Sequence, residues 1–143
     1  MAIFNEKYDY TVSLLLHNAG RHRESYDCEP NSYNCQCEDD HVIELQLVVV
    51  ALNKLPEDTY TGSNWQARLV DFFDKKHRNW EHLSRNQRLE KARAVDKWIR
   101  RRQLKGNEWK WIKEIKITWK KCRDQLKGFG KFKLALNSVL RTW

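Results

Sequence analysis

The run Glu38-Asp39-Asp40-His41 leads straight into the apolar stretch Val42-Ile43-Glu44-Leu45-Gln46, with Cys28, Cys35 and Cys37 just upstream. A histidine titrates close to neutral pH and can take a proton from water, while a neighbouring carboxylate can hold a hard divalent cation. Side by side at the edge of a buried segment, the two residue types suit metal-assisted hydrolysis of a phosphodiester. A second polar cluster follows at Asn79-Trp80-Glu81-His82-Leu83-Ser84-Arg85-Asn86, with Lys91 one turn of helix further on. Glu44 and Gln46 stand where they could hold the His41 ring from behind.

Together the two segments resemble the His-Me finger nucleases, specifically the HNH family. In that family an Asp-His pair closes a first strand, an Asn opens a second strand in a pattern like N-L-x-x-L-S-R, and a further Asn or His opens a helix carrying a Lys. Asp40-His41 corresponds to the first element, Asn79 through Leu83-Ser84-Arg85 to the second, and Asn86 with Lys91 to the third. The usual interval from Asn79 reaches Arg88, two residues beyond Asn86. The resemblance covers residues 38–91 and implies a ββα-metal element, with His41 as general base and Asn79 fixing the loop and the imidazole. It also implies Mg²⁺ or Mn²⁺ held by Asp40 and Asn86. Arg85, Arg88 and Lys91, on the following helix, could grip flanking phosphates.

The elements that must position these groups follow from periodicity. Apolar residues from Tyr8 to Leu16 predict a helix over 6–19, and the Pro, Asn, Ser and Asp content of 20–40 predicts a loop. Residues 41–55 predict an extended entry at His41 and then a buried helix stopped by Pro56. A helix over 64–76 and a short strand over 79–83 come next. Ser84 suits the cap of a helix over 85–104 with Leu89, Ala92, Val95, Trp98 and Ile99 inward. Helices over 108–126 and 131–142 complete the chain. The expectation is one domain over 1–143, mainly α (α+β), with a small ββα-metal element embedded in a helical domain. Residues 45–76 form a helical insertion within that element, and 92–143 a basic helical extension.

Charge points to a phosphate-rich partner. Residues 1–74 hold 5 Lys/Arg against 13 Asp/Glu, and residues 75–143 hold 22 against 6, so the chain's net charge of +8 hides a strongly cationic back half. Lysine and arginine displace condensed counterions from nucleic acid, which predicts nucleic acid as partner, DNA ahead of RNA. Arg100, Arg101 and Arg102 belong to that basic surface, with a localisation signal or a solvated helix end as the other readings. No apolar run approaches the ~20 residues that span a bilayer, and the first ten residues are too acidic and polar for a secretory signal, so a soluble, non-membrane protein is expected, intracellular ahead of already processed.

Other chemistries stay open at this level. Cys28, Cys35 and Cys37 could hold a structural Zn²⁺ with Cys122 or a histidine as fourth ligand, form a disulfide, or remain thiols. His17 and His22 could approach the site. Glu44-Leu45-Gln46 after Asp39 or Asp40 is loosely similar to the acid cluster of PD-(D/E)xK nucleases, without the lysine. Trp98, Trp111 and Trp119 fit a helix core, and Trp109 and Trp143 look more exposed; aromatics interleaved with lysine, as in Lys110-Trp111-Ile112-Lys113, could alternatively stack on unpaired bases. The main expectation is a metal-dependent endonuclease. Its alternatives are a non-catalytic basic nucleic-acid-binding protein and an interaction protein or inhibitor using the acidic front half.

Overall fold

Three consecutive valines in Leu45–Asn53 (LQLVVVALN) would favour a strand on local preference alone, yet the segment is a helix, α1. Burial decides it: Leu45, Leu47, Val48, Val49, Ala51 and Leu52 are all inside, and tertiary packing outweighs the modest helix penalty of β-branched residues. Lys54 caps the end, and Pro56 lies two residues beyond.

The computed structural model describes residues 25–27, 36–56, 58–62, 64–74 and 79–142. The expected helix over 6–19, His17, His22, Cys28, Cys35, the Cys37 side chain and Trp143 lie outside the described residues. The described chain runs β1 (Ser25–Asp27), β2 (Gln36–His41), α1, α2 (Asn64–Phe73), β3 (Trp80–Ser84), α3 (Arg85–Ile99), α4 (Glu108–Cys122), a 3₁₀ turn at Arg123–Gln125 and α5 (Gly130–Leu140). It is mainly helical with one small antiparallel sheet in the order β1-β2-β3.

The sheet corrects the expected loop over 20–40, whose described ends are strands. Polar strand residues gave no alternating signal, and their pairing is set by the distant partner β3. In the β2–β3 register Glu38 faces Leu83, Asp40 faces Glu81 and His41 faces Trp80. Helices α1 and α2 are thus an insertion between two paired strands, and α3 follows β3 directly. Ser84 starts α3 through a reciprocal capping box: the Gln87 N–H donates to Ser84 Oγ at 3.1 Å, and the Ser84 N–H to Gln87 Oε1 at 2.8 Å.

One hydrophobic core runs from Ile43 to Leu140 and draws on all five helices. Its centre is aromatic. Phe73 stacks on Trp119 with centroids 6.0 Å apart, Phe132 meets both rings edge-on, and Trp119 Nε1 donates to Asn137 Oδ1 at 2.7 Å. Burial of these rings stabilises the packing of the helices, and the Trp119 indole keeps its polar atom satisfied. Cys122 is a buried part of this core and forms no disulfide.

The inward face of α3 differs from the expected one. Lys91, Ala94, Val95 and Trp98 are buried, while Leu89 is 48 % exposed and Ala92 lies on the surface. An apolar-inside rule misplaces the face because a lysine occupies its centre.

Candidate active site at the end of strand β2

Two consecutive residues at the end of β2 face opposite sides of the sheet, as the strand pleat requires. Their cross-strand partners show what each side holds.

On one side is His41, only 3 % exposed. Its ring lies 4.3 Å from the Trp80 ring, its register partner, and its Nε2 is 3.0 Å from Asp74 Oδ1 just past the end of α2. Trp80 Nε1 donates to the Asp74 carbonyl at 2.9 Å, so the same tryptophan flanks the imidazole and fixes the residue that binds it. Burial pushes the His41 pKa below its ordinary value, against the upward pull of the Asp74 and Asp40 carboxylates. The ring is therefore neutral near pH 7. With its proton on the nitrogen facing Asp74, its basic nitrogen is Nδ1.

On the other side Asp40 and Glu81 stand directly across from each other, an arrangement that alone would be repulsive. Lys91 resolves it. This lysine is 1 % exposed, its Nζ is 2.7 Å from Glu81 Oε1 and 3.5 Å from Glu44 Oε1, and it donates to the His41 carbonyl. Burial works to lower the Lys91 pKa, but Glu44, Glu81 and Asp40 outweigh it and raise it. One Asp40 oxygen accepts the His41 N–H at 3.0 Å. Carboxylates still outnumber ammonium here, and the excess falls on Glu81: its burial, with Glu114 hydrogen-bonded to it, lifts its pKa from 4.5 to about 7.

Asn79 clasps the loop between these two sides. Its Oδ1 accepts the Ile43 N–H at 2.7 Å, and its Nδ2 donates to the carbonyls of Ile43 at 3.2 Å and Phe73 at 2.9 Å. The Val42 N–H donates to the Asn79 carbonyl at 2.8 Å. A single 1 %-exposed amide thus ties the exit of β2 to the end of α2.

Of the expected site residues, Asp40 and His41 lie at the end of β2 on opposite sides of the sheet, and Asn79 binds the loop that leaves it. Lys91 joins them as a buried ion-pair partner, which corrects its expected role as a phosphate grip. Glu44 lies 3.5 Å from the Lys91 ammonium, which itself donates to the His41 carbonyl, and Gln46 is half-buried on α1. Asn86 and Arg85 are exposed on the first turn of α3, with Arg88 half-buried one turn on. Arg100 pairs with Asp96 at 2.8 Å, while Arg101 and Arg102 are exposed at the far end of the same helix. Asp74, Trp80, Glu81 and Glu114 were missed. Trp80 and Glu81 could have been found by pairing the two motifs as a hairpin; Asp74 and Glu114 carry no local signal.

Among the described residues no three His, Cys, Asp or Glu side chains are grouped to hold a metal ion. The donors near Asp40 are nonetheless hard oxygens in a site with excess negative charge, the kind of set Mg²⁺ takes while keeping water and substrate phosphate as its other ligands. No helix among the described residues is long and apolar enough to cross a membrane. Compared with known proteins, the chain matches no family model, no curated protein and no solved structure.

Proposed function

We propose that the chain is a metal-dependent endonuclease of the His-Me finger kind, acting on nucleic acid, DNA ahead of RNA. The observation that carries this reading is the His41–Asp74 pair, a neutral buried imidazole whose tautomer a carboxylate fixes. His41 would take a proton from the attacking water through Nδ1, Asp74 would stabilise the imidazolium that forms, and Trp80 and Asn79 would hold the ring and its loop. A hard cation held by Asp40, with Asn86 from the start of α3, would neutralise charge on the leaving oxygen.

A second reading rests on a different observation. The Lys91 ammonium already sits among Asp40, Glu44 and Glu81, which is what a structural, non-catalytic hairpin in a basic nucleic-acid-binding protein would need. Supercoiled plasmid with Mg²⁺ or Mn²⁺ separates the two. The nuclease nicks it, and His41→Ala lowers the rate by roughly 10²–10⁴, the usual worth of a general base. Equal nicking by the variant overturns the mechanism, and salt-sensitive binding with no nicking by the wild type favours the binder.

A further inference from the structure

Far from the hairpin, Trp109 at the start of α4 is 50 % exposed and separates two grooves. The first, about 290 Å³, runs along α4 past Lys110, Lys113 and Lys116. The second, about 270 Å³, lies between Trp109 and the ends of α3 and α5, bordered by Arg101, Arg102 and Arg141. Six cations therefore flank one exposed indole, and among the described residues no Asp or Glu lines either groove. The carboxylate closest in sequence, Glu108, is taken by Lys97 at 2.9 Å and by the Lys105 N–H at 2.8 Å.

Two of the cations are held in place by an aromatic ring. Trp98 stands edge-on to Trp109 at 6.2 Å and carries Arg141 at 4.1 Å and Lys116 at 4.7 Å from its ring centre. Burial and the neighbouring Arg141 and Lys120 charges all push the Lys116 pKa down, as expected where positive groups gather without a counter-charge. Arg101 and Arg141 both adopt left-handed backbone, φ 58° and 54°, at helix ends where glycine or asparagine is the usual occupant. A cation near a helix C-terminus offsets the dipole of α3 or α5. That role does not call for the three lysines on α4.

We propose that the two grooves bind single-stranded nucleic acid, with an unpaired base stacked on Trp109 and the flanking phosphates held by the arginines on one side and the lysines on the other. The inference takes its partner class from the proposed function but does not depend on cleavage. A duplex keeps its base faces inside the stack, so it could use the cations but not the indole; an acidic peptide would likewise use charge alone. Aromatic stacking beside a cationic track is how sequence-tolerant single-strand binders work.

The test uses the full chain in EDTA, so that no metal-dependent cleavage occurs, with fluorescein-labelled dT12. Anisotropy gives the affinity, and the dT12·dA12 duplex, polyglutamate and phosphatidylserine vesicles serve as competitors. Tight, salt-sensitive dT12 binding is expected, with Trp109→Ala about 5- to 100-fold weaker and Trp109→Phe recovering most of the loss. Lys113→Gln and Arg141→Gly are each expected to reduce the slope of log K against log salt by about 0.7. Circular dichroism checks that every variant is folded. Unchanged dT12 affinity in folded Trp109→Ala overturns the proposal, as does competition by duplex, polyglutamate or vesicles as strong as by unlabelled dT12. Because binding is read in EDTA, a chain that cuts nothing still tests this site, and unchanged dT12 affinity in folded Trp109→Ala refutes it even in a chain that cuts plasmid.

Discussion

The middle and the end of helix α3 treat charge in opposite ways. Midway along it, Lys91 is buried, surrounded by carboxylates and bonded to backbone; past its end, Arg101 and Arg102 face solvent beside an exposed tryptophan, with no acid lining the groove among the described residues. Desolvated charge must be compensated within the fold, because an uncompensated ion costs several kcal/mol, whereas exposed charge is stabilised by water and remains available to a partner. The charges of the hairpin corner are therefore committed to the fold, whereas those of the Trp109 grooves remain available to a partner. That division predicts which substitutions unfold the chain and which leave it intact.

The largest effect is expected at Lys91. Lys91→Met leaves Asp40, Glu44 and Glu81 around an apolar side chain, and breaking a buried ion pair from one side costs about 3–5 kcal/mol. Set against the 5–15 kcal/mol typical of a domain, this brings the chain close to unfolding. Urea denaturation gives the number, and adding Glu81→Gln is expected to return part of the loss by removing a carboxylate left without its ammonium. A loss under about 1 kcal/mol would mean that the corner is solvated, and the contrast between the two regions would fail.

Asn79→Ala comes next. It leaves buried backbone groups at Ile43 and Phe73 without their side-chain partner, at about 2–4 kcal/mol in all. The same measurement checks it. The plasmid assay adds a second readout, since a freed loop would also misplace His41.

The pH dependence sharpens the comparison because His41 and Glu81 act in opposite directions. The folded state lowers the His41 pKa, so between that value and the ordinary 6.5 the unfolded chain binds more protons; this contribution is present above 6.5 and is lost as pH falls. Glu81 is raised from 4.5 to about 7, so its contribution is fully present below 4.5 and is lost as pH rises towards 7. In wild type the two slopes oppose each other. Thermal melts from pH 4.5 to 7.5 are expected to show stability falling with pH in His41→Gln and rising with pH in Glu81→Gln. Parallel slopes in the two variants would show that neither group governs the corner.

Much of this was legible in the sequence, and the failures have identifiable causes. The helices over 45–55, 64–76 and 108–126 were readable because each buries an apolar stripe long enough to outweigh local preference. Ser84 marked the start of α3 by cap chemistry alone. The register of α3 was misread because Leu89 and Ala92 seemed better core residues than Lys91, and only the carboxylates of two other elements make a buried lysine tolerable. Strand β2 gave no periodic signal, because its residues pair with a strand beyond the 37 residues between His41 and Asn79, and only the resemblance implied a strand closing at Asp40-His41. His41, Asp40 and Asn79 could be picked out by residue type, but Asp74 is 33 residues from His41 and nothing local marks it.

The smallest effect is expected at Arg141, and it tests the recognition end most directly. Left-handed backbone costs an L-residue roughly 1–2 kcal/mol, which Arg141→Gly would relieve. Against that stand the cation–π contact with Trp98, about 0.5–1 kcal/mol at an exposed site, and the extra chain entropy of glycine, of similar size. The terms nearly cancel, so the urea midpoint is expected to stay within about 0.5 kcal/mol of wild type. Binding should still weaken, because one groove loses a cation. A stability loss above about 1.5 kcal/mol would mean that the Arg141–Trp98 contact holds α5 in place. The Trp109 end would then be built on the same principle as the Lys91 corner, with its strained backbone serving the fold rather than a partner.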